Sequence, residues 1–298
     1  MKYSQALAVL SFVSVAACGS GAVATSNGTT GGGDAGSSSS DGAANGSDTG
    51  STTTTQSLSF KTLVVLGDSI SDGGGQGPFF YDLLHKNDDT LYPAYAGKDL
   101  QTKYGSSLAV VHGAVAGSTA KELIGQAQAL PTTLAGPVLV TITIGGNDVT
   151  GALGNLLLSG SDTAQVSTFQ TQLNTSLAEL TKPNRFGQGV EVRVLLANIY
   201  DPSDGTGNFK FADGTACPGA LQYWPANQPT DPSLVPWETT MTTTAQQYSQ
   251  VVVLGLKDEF HGHGVPASPT WFYSDCIHPN ATGHEEIREL FWTAVNAL

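Results

Sequence analysis

The sequence predicts an α/β fold, a three-layer α/β/α sandwich around a mainly parallel sheet, on three observations. Short runs rich in β-branched residues are apolar at nearly every position, as strands are when both faces of their sheet are covered. Stretches whose apolar residues step by three or four alternate with those runs, the spacing of helices that bury one face. The chain has 298 residues, 40% of them hydrophobic, enough for one such domain to bury an adequate core.

The elements follow in chain order. After Met1-Lys2-Tyr3 comes an apolar run from Ala6 to Ala17. It is too short to span a bilayer, which takes about 20 residues, so residues 1–17 are expected to be an export signal. The run closes on Val15-Ala16-Ala17-Cys18, which resembles a bacterial lipobox. That resemblance implies acylation of Cys18 and a lipid anchor in the cell envelope. Gly19 rather than Asp comes next, which implies the outer membrane where the cell has one. An ordinary signal peptide cleaved near Ala17, giving a secreted protein, is the alternative. From Gly19 to Ser57 the chain is Gly, Ser, Thr, Asp, Asn and Ala almost throughout. Such a composition buries too little surface to offset the entropy of ordering, so residues 18–57 are expected to be a disordered tether.

Residues 58–298 are expected to be the folded domain. Its candidate strands are Leu63 to Leu66, Leu108 to Val111, Val138 to Ile144 and Val190 to Ala197. One helical face is carried by Val166, Phe169, Leu173, Leu177 and Leu180, and a second by Met241, Ala245, Tyr248, Val252 and Leu256. A terminal helix carries Ile287, Leu290, Phe291, Ala294 and Leu298. A long insertion, Asp201 to Trp237, is rich in Pro, Gly and aromatic residues. Loops of that length are usually functional or disordered; it is expected either to shape a substrate pocket or to cover the sheet edge. Right-handed crossovers place reactive groups at the carboxyl ends of the strands.

The formal net charge of −13, with only 12 Lys and Arg, argues against nucleic acid as a partner, because tracking phosphates takes clustered cations. If Cys18 carries lipid, Cys217 and Cys276 remain as an even pair in an oxidising compartment, and a disulfide is the simpler reading beside two buried thiols.

Four residue groups fall where this architecture places a site. Leu66-Gly67-Asp68-Ser69-Ile70-Ser71-Asp72-Gly73 follows the first strand, and Gly113-Ala114-Val115-Ala116-Gly117-Ser118-Thr119 the second. Ile144-Gly145-Gly146-Asn147-Asp148 follows the third, and Asp275-Cys276-Ile277-His278-Pro279 precedes the final helix. In these blocks, over residues 61–298, the chain resembles the SGNH/GDSL hydrolase superfamily. Gly67-Asp68-Ser69 matches its nucleophile block, Gly117 its oxyanion glycine, Gly145-x-Asn147-Asp148 its third block and Asp275-x-x-His278 its closing block. The resemblance implies a monomeric ester hydrolase, an esterase, lipase or carbohydrate acetylesterase, that needs no metal or organic cofactor. His112 stands where many of these proteins have Asn.

The chemistry is consistent with that resemblance. A serine hydroxyl is a weak nucleophile at neutral pH, so an imidazole must take its proton, which makes His278 the expected base for Ser69. Asp275 is expected to fix the tautomer of His278 and stabilise its cation. The Ser69 and Gly117 N–H groups and the Asn147 amide are expected to receive the developing oxyanion. Asp68 and Asp148 are expected to hold loops through backbone N–H groups rather than to act as an acid/base pair. The Gly73-Gly74-Gly75-Gln76-Gly77 stretch lacks phosphate-loop spacing and is expected to be a mobile wall of the cleft. His261-Gly262-His263 is expected to be a solvated turn rather than a metal site. His85, His112 and His284 are expected to be surface or packing residues. Two other function classes stay open at this level: a non-catalytic binding or adhesion lipoprotein that keeps the fold, and a nucleotide-binding protein.

Overall fold

The computed structural model describes residues 58–219, 221, 224–225 and 228–298, the side chains of 157 and 158 excepted. The expected export signal, the acylated Cys18 and the tether lie outside the described residues.

Five parallel strands form one sheet in the order β2-β1-β3-β4-β5. They are β1 (Thr62–Gly67), β2 (Ala109–His112), β3 (Val138–Thr143), β4 (Val192–Ala197) and β5 (Val251–Leu254). The order reverses between β1 and β3, so the loops after those two strands diverge and leave a crevice at the carboxyl edge. All six residues of β1 and of β3 are buried, which is why these stretches read as nearly continuous apolar runs.

Alternate residues feed two cores. Leu63, Val65, Leu139 and Leu195 face helices α1 (Phe80–His85), α2 (Leu100–Tyr104), α7 (Leu256–Phe260) and α8 (Ala281–Ala297), packing on Phe80, Leu100, Phe260, Ile287 and Phe291. Val64, Leu66, Val140 and Leu196 face α3 (Ala120–Ala129), α5 (Thr163–Thr181) and α6 (Asp231–Ala245), packing on Leu123, Phe169, Leu173, Trp237 and Met241. The expected three-layer sandwich is therefore present. Helix α4 (Gly146–Ser159) leaves the carboxyl end of β3 and roofs the crevice.

Two expectations need correction. The helical spacing from Met241 to Leu256 is not one helix: α6 ends at Ala245, residues 246–250 turn, and Val251–Leu254 pairs with β4 as an edge strand. Four consecutive apolar residues, three of them valine, suit a strand better than an amphipathic helix, and the coincidence of Val252 and Leu256 with the preceding period masks it. The insertion is also shorter than Asp201 to Trp237, because α6 starts at Asp231. Pro232 is compatible with a first turn, where its missing N–H is no loss, but with Pro236 further on the segment has the composition of a loop.

Cys217 and Cys276 form a disulfide with their Cα atoms 5.6 Å apart. It ties the insertion to the segment that carries Asp275 and His278, in which Cys276 has a left-handed conformation (φ 62°) that a non-glycine residue enters at a cost. Closing a loop across 59 residues removes chain entropy from the unfolded state worth about 4 kcal/mol. The Cys217→Ser/Cys276→Ser double variant is accordingly expected to lose stability of that order in urea denaturation. Parent and variant with equal midpoints would show that the bond does not constrain the unfolded chain.

Candidate active site

The turn after β1 is built by contacts that only its residues can make. Gly67 has φ 125°, and a Cβ there would lie 2.0 Å from the Thr143 carbonyl oxygen, so β1 and β3 approach this closely only with glycine. Asp68, buried beneath the turn, accepts from the Ile70 N–H (3.1 Å) and the Thr143 hydroxyl (2.9 Å). Ser71 is fully buried and hydrogen-bonded to Thr143 Oγ1 at 2.8 Å. Ser69 is left on the crevice side.

His278 and Ser69, 209 residues apart in the chain, are joined by a 2.8 Å hydrogen bond between Nε2 and Oγ. On the other side of the ring, Nδ1 lies 2.7 Å from Asp275 Oδ2. The other carboxylate oxygen of Asp275 accepts from the N–H groups of Ile277 (3.0 Å) and His278 (2.9 Å). Partial burial pushes the Asp275 carboxyl up, but the hydrogen bonds from the His278 ring and these two N–H groups outweigh it and hold the group below the ordinary carboxylate value. An ionised carboxylate can only accept. Nδ1 therefore carries the proton, and the Nε2 lone pair faces the Ser69 hydroxyl.

The remaining blocks converge on the same crevice. Asn147, in the first turn of α4, donates one Nδ2 proton to the Ser118 carbonyl at 2.9 Å, which leaves its second amide proton for another acceptor. Gly117 has φ 80° and stands between two anchored neighbours: Ala116 N–H donates to Asp72 of the serine turn at 2.8 Å, and Ser118 receives Asn147. Among the described residues, the N–H groups of Ser69 and Gly117 meet no acceptor. Asp148 accepts from the Ala120 N–H at the start of α3, and burial lifts its carboxyl to about 6. Asp68 and Asp148 thus hold loops as expected.

Four side chains with a part in this arrangement were not legible as site residues. Gln126 of α3 accepts from the Gly67 N–H and donates to the Gly67 carbonyl, both at 2.8 Å, and also donates to Ser118 Oγ at 3.0 Å. Tyr200 donates its hydroxyl to the Ile277 carbonyl beside His278. His112 bonds the Ser71 carbonyl through Nε2 at 2.9 Å, so it supports the serine turn. His284 is fully buried beside Phe79 and Phe80 and donates from Nε2 to the Gly74 carbonyl at 2.9 Å. Burial pushes His284 down to about 4, which keeps it neutral.

The glycine stretch expected to be mobile is tied at three points: Gly74 N–H to the Ser69 carbonyl, Gln76 N–H to the Pro279 carbonyl, and Gly74 carbonyl to His284. It presses on His278 so closely that a Cβ at Gly74 would lie 2.4 Å from Cδ2 of that ring. His261 and His263 close α7, and His263 stacks on Trp271 with ring centres 3.7 Å apart. Among the described residues, no group of three or more His, Cys, Asp or Glu could hold a metal ion.

A cavity of about 160 Å³ opens beside Ser69 and Asn147 and extends between α4, α6 and the insertion, which contributes Pro202, Phe209, Leu221 and Trp224. Of the two roles expected for the insertion, it takes that of a pocket wall.

The buried charge beside the serine has a measurable cost. Burial lifts the Asp68 carboxyl from 3.8 to about 6, against hydrogen bonds from Thr143 and Ile70 and the proximity of His278. Because the folded value is the higher one, the associated stability is complete below pH 3.8 and is lost as the pH rises through 6; a shift of that size is worth about 3 kcal/mol. Asp68→Asn keeps an acceptor for both donors and removes the charge. It is expected to be more stable than the parent by up to about 3 kcal/mol at pH 8 and equal to it below pH 4, read from urea denaturation. A difference that does not grow between those pH values would mean that the carboxyl titrates normally.

An all-parallel five-stranded sheet with helices on both faces is the SGNH-hydrolase fold. Residues 65–286 match the GDSL-like Lipase/Acylhydrolase family, and the chain belongs to that family. Among solved structures it is similar to a lipase from a goat rumen metagenome (17% identity, 78% of this chain and 96% of that one, TM-score 0.49). An extracellular lipase from Streptomyces rimosus (18% identity, 78% and 99%, TM-score 0.49) and an acetylxylan esterase from Geobacillus stearothermophilus (18%, 80% and 95%, TM-score 0.48) are also similar. A search of curated proteins returns no match.

Proposed function

We propose that this chain is a serine esterase that cleaves carboxylic esters through an acyl-enzyme. The observation that carries this reading is the unbroken series Ser69 Oγ, His278 Nε2, His278 Nδ1, Asp275 Oδ2, with spacings of 2.8 and 2.7 Å across its two hydrogen bonds. As Ser69 Oγ attacks the ester carbonyl carbon, His278 Nε2 takes its proton, and the imidazolium is stabilised by the ionised Asp275. Negative charge gathers on the former carbonyl oxygen, where the Ser69 and Gly117 N–H groups and the second Asn147 amide proton receive it. Collapse expels the alcohol, protonated by His278, and leaves Ser69 acylated. Water then repeats the steps with His278 as base and releases the acid.

The test is labelling by a fluorophosphonate, which reacts with an activated hydroxyl, together with turnover of 4-nitrophenyl butyrate. Stoichiometric labelling at Ser69 is expected. A chain that neither labels nor turns over ester would instead be a binding or adhesion protein that keeps the fold.

The same reading includes an exported, monomeric lipoprotein, anchored through acylated Cys18 and held off the membrane by residues 18–57. It rests on the Val-Ala-Ala-Cys sequence and the polar composition that follows. Expressed in a bacterial host, the chain is expected to incorporate labelled palmitate, and Cys18→Ser to incorporate none; equal labelling of both would remove the anchor.

A further inference from the structure

Ester cleavage at Ser69 assigns a direction to each part of the substrate. The leaving oxygen has to reach His278 Nε2 to be protonated, and the carbonyl oxygen has to face Gly117 and Asn147. The acyl substituent takes the direction that remains. The cavity of about 160 Å³ is walled by Ser69, Asn147 and Ile277 but not by His278, so it lies on the acyl side of the scissile bond.

Its walls have a definite chemistry. Val149, Ala152, Leu153 and Leu156 of α4 face Leu234 and Trp237 of α6 across it. Polar side chains also reach the wall, and among the described residues most hold at least one partner, while Ser233, the Asn198 Nδ2 group and the second Asn147 amide proton hold none. Asp162 accepts from Trp237 Nε1 at 2.7 Å, Asp201 from the N–H groups of Ser203 and Gly205 and from Thr230, and Asn198 from the Lys257 N–H. Tyr200 donates to Ile277 and Thr150 to Gly146. A sugar entering this space would give up water for its hydroxyl groups and find few free partners, at a cost for each one left unmade. A hydrocarbon chain would give up nothing and bury its surface.

Resting on the esterase reading above, we propose that this cavity is an acyl pocket and that the substrates are esters of medium-length fatty acids rather than acetyl esters. An apolar cavity of about 150 Å³ accommodates benzene, so this one suits a chain of about six carbons. An acetyl group would leave most of it unfilled. Ala152, buried on α4, and Leu156, half-buried one turn further on, both line this space.

The experiment is a series of 4-nitrophenyl esters from acetate to dodecanoate, with fluorophosphonate labelling of the same preparations. Each methylene buried is worth about a fourfold gain, so kcat/KM is expected to rise by about two orders of magnitude from acetate to hexanoate and to level off beyond octanoate. Ala152→Leu narrows the pocket and is expected to lower the hexanoate-to-acetate ratio about tenfold. Leu156→Ala widens it and is expected to move the optimum to longer chains, which provides a readout even if Ala152→Leu fails to fold. Labelled Ser69 with a flat profile, or one highest at acetate, would overturn the acyl pocket and leave the esterase standing. So would a length profile indifferent to both substitutions. Absence of both labelling and turnover would overturn the esterase reading, and the pocket with it.

Discussion

Ser69→Ala is expected to lower kcat on an activated ester by about six orders of magnitude, the loss seen when the serine of such a hydrogen-bonded series is removed. The variant lacks the only hydroxyl that His278 touches among the described residues, so no acyl-enzyme is expected to form and no fluorophosphonate to attach. Some acceleration over water is expected to persist, because the oxyanion donors proposed above, the Asn147 amide and the Gly117 N–H, are left in place. The fold is not at stake. Ser69 is partly exposed, and among the described residues its hydroxyl bonds only His278, so the thermal midpoint should stay close to that of the parent. The nearest rival hydroxyl, Ser71, is fully buried and held by Thr143. A Ser69→Ala protein that kept a hundredth of the parental turnover, with the acyl group recovered on another residue, would place the chemistry elsewhere.

How much of this could be read from the sequence follows from the range of each interaction. β1 and β3 were legible because both faces of each are covered, so apolar residues hold nearly every position and the few threonines are buried. β5 was not: it is a short, half-exposed edge strand whose valines continue the period of the helix before it. Helix α4 was missed because Gly146, Gly151 and Gly154 dilute its pattern and its apolar side chains are divided between the cavity and the edges of both cores. Ser69, Gly117, Asn147, Asp275 and His278 each sit in a local block whose spacing is visible in the chain. Gln126, Tyr200, His112 and His284 do not. Their bonds to Gly67, Ile277, Ser71 and Gly74 cross 59, 77, 41 and 210 residues and go to backbone atoms, which have no signature in the partner sequence. The groups proposed to react are thus locally encoded, whereas those that hold them in place are set by the fold.

Asn147→Ala is expected to cost two to three orders of magnitude in kcat with little change in KM, since a donor that meets charge only as it develops contributes to the transition state and not to substrate binding. The substitution also removes the bond to the Ser118 carbonyl, so a merely structural loss has to be separated from an electrostatic one. Asn147→Asp makes the separation: the carboxylate fills the same space but can only accept, so it faces both the oxyanion and the Ser118 carbonyl with the wrong polarity. Its loss of kcat is expected to equal or exceed that of alanine. The affinity of an alkylboronic acid, which binds Ser69 as a tetrahedral anion, should fall in both variants by the same factor as kcat/KM. If boronate affinity stayed at the parental level while turnover dropped, Asn147 would be positioning the Ser118 loop and not receiving charge.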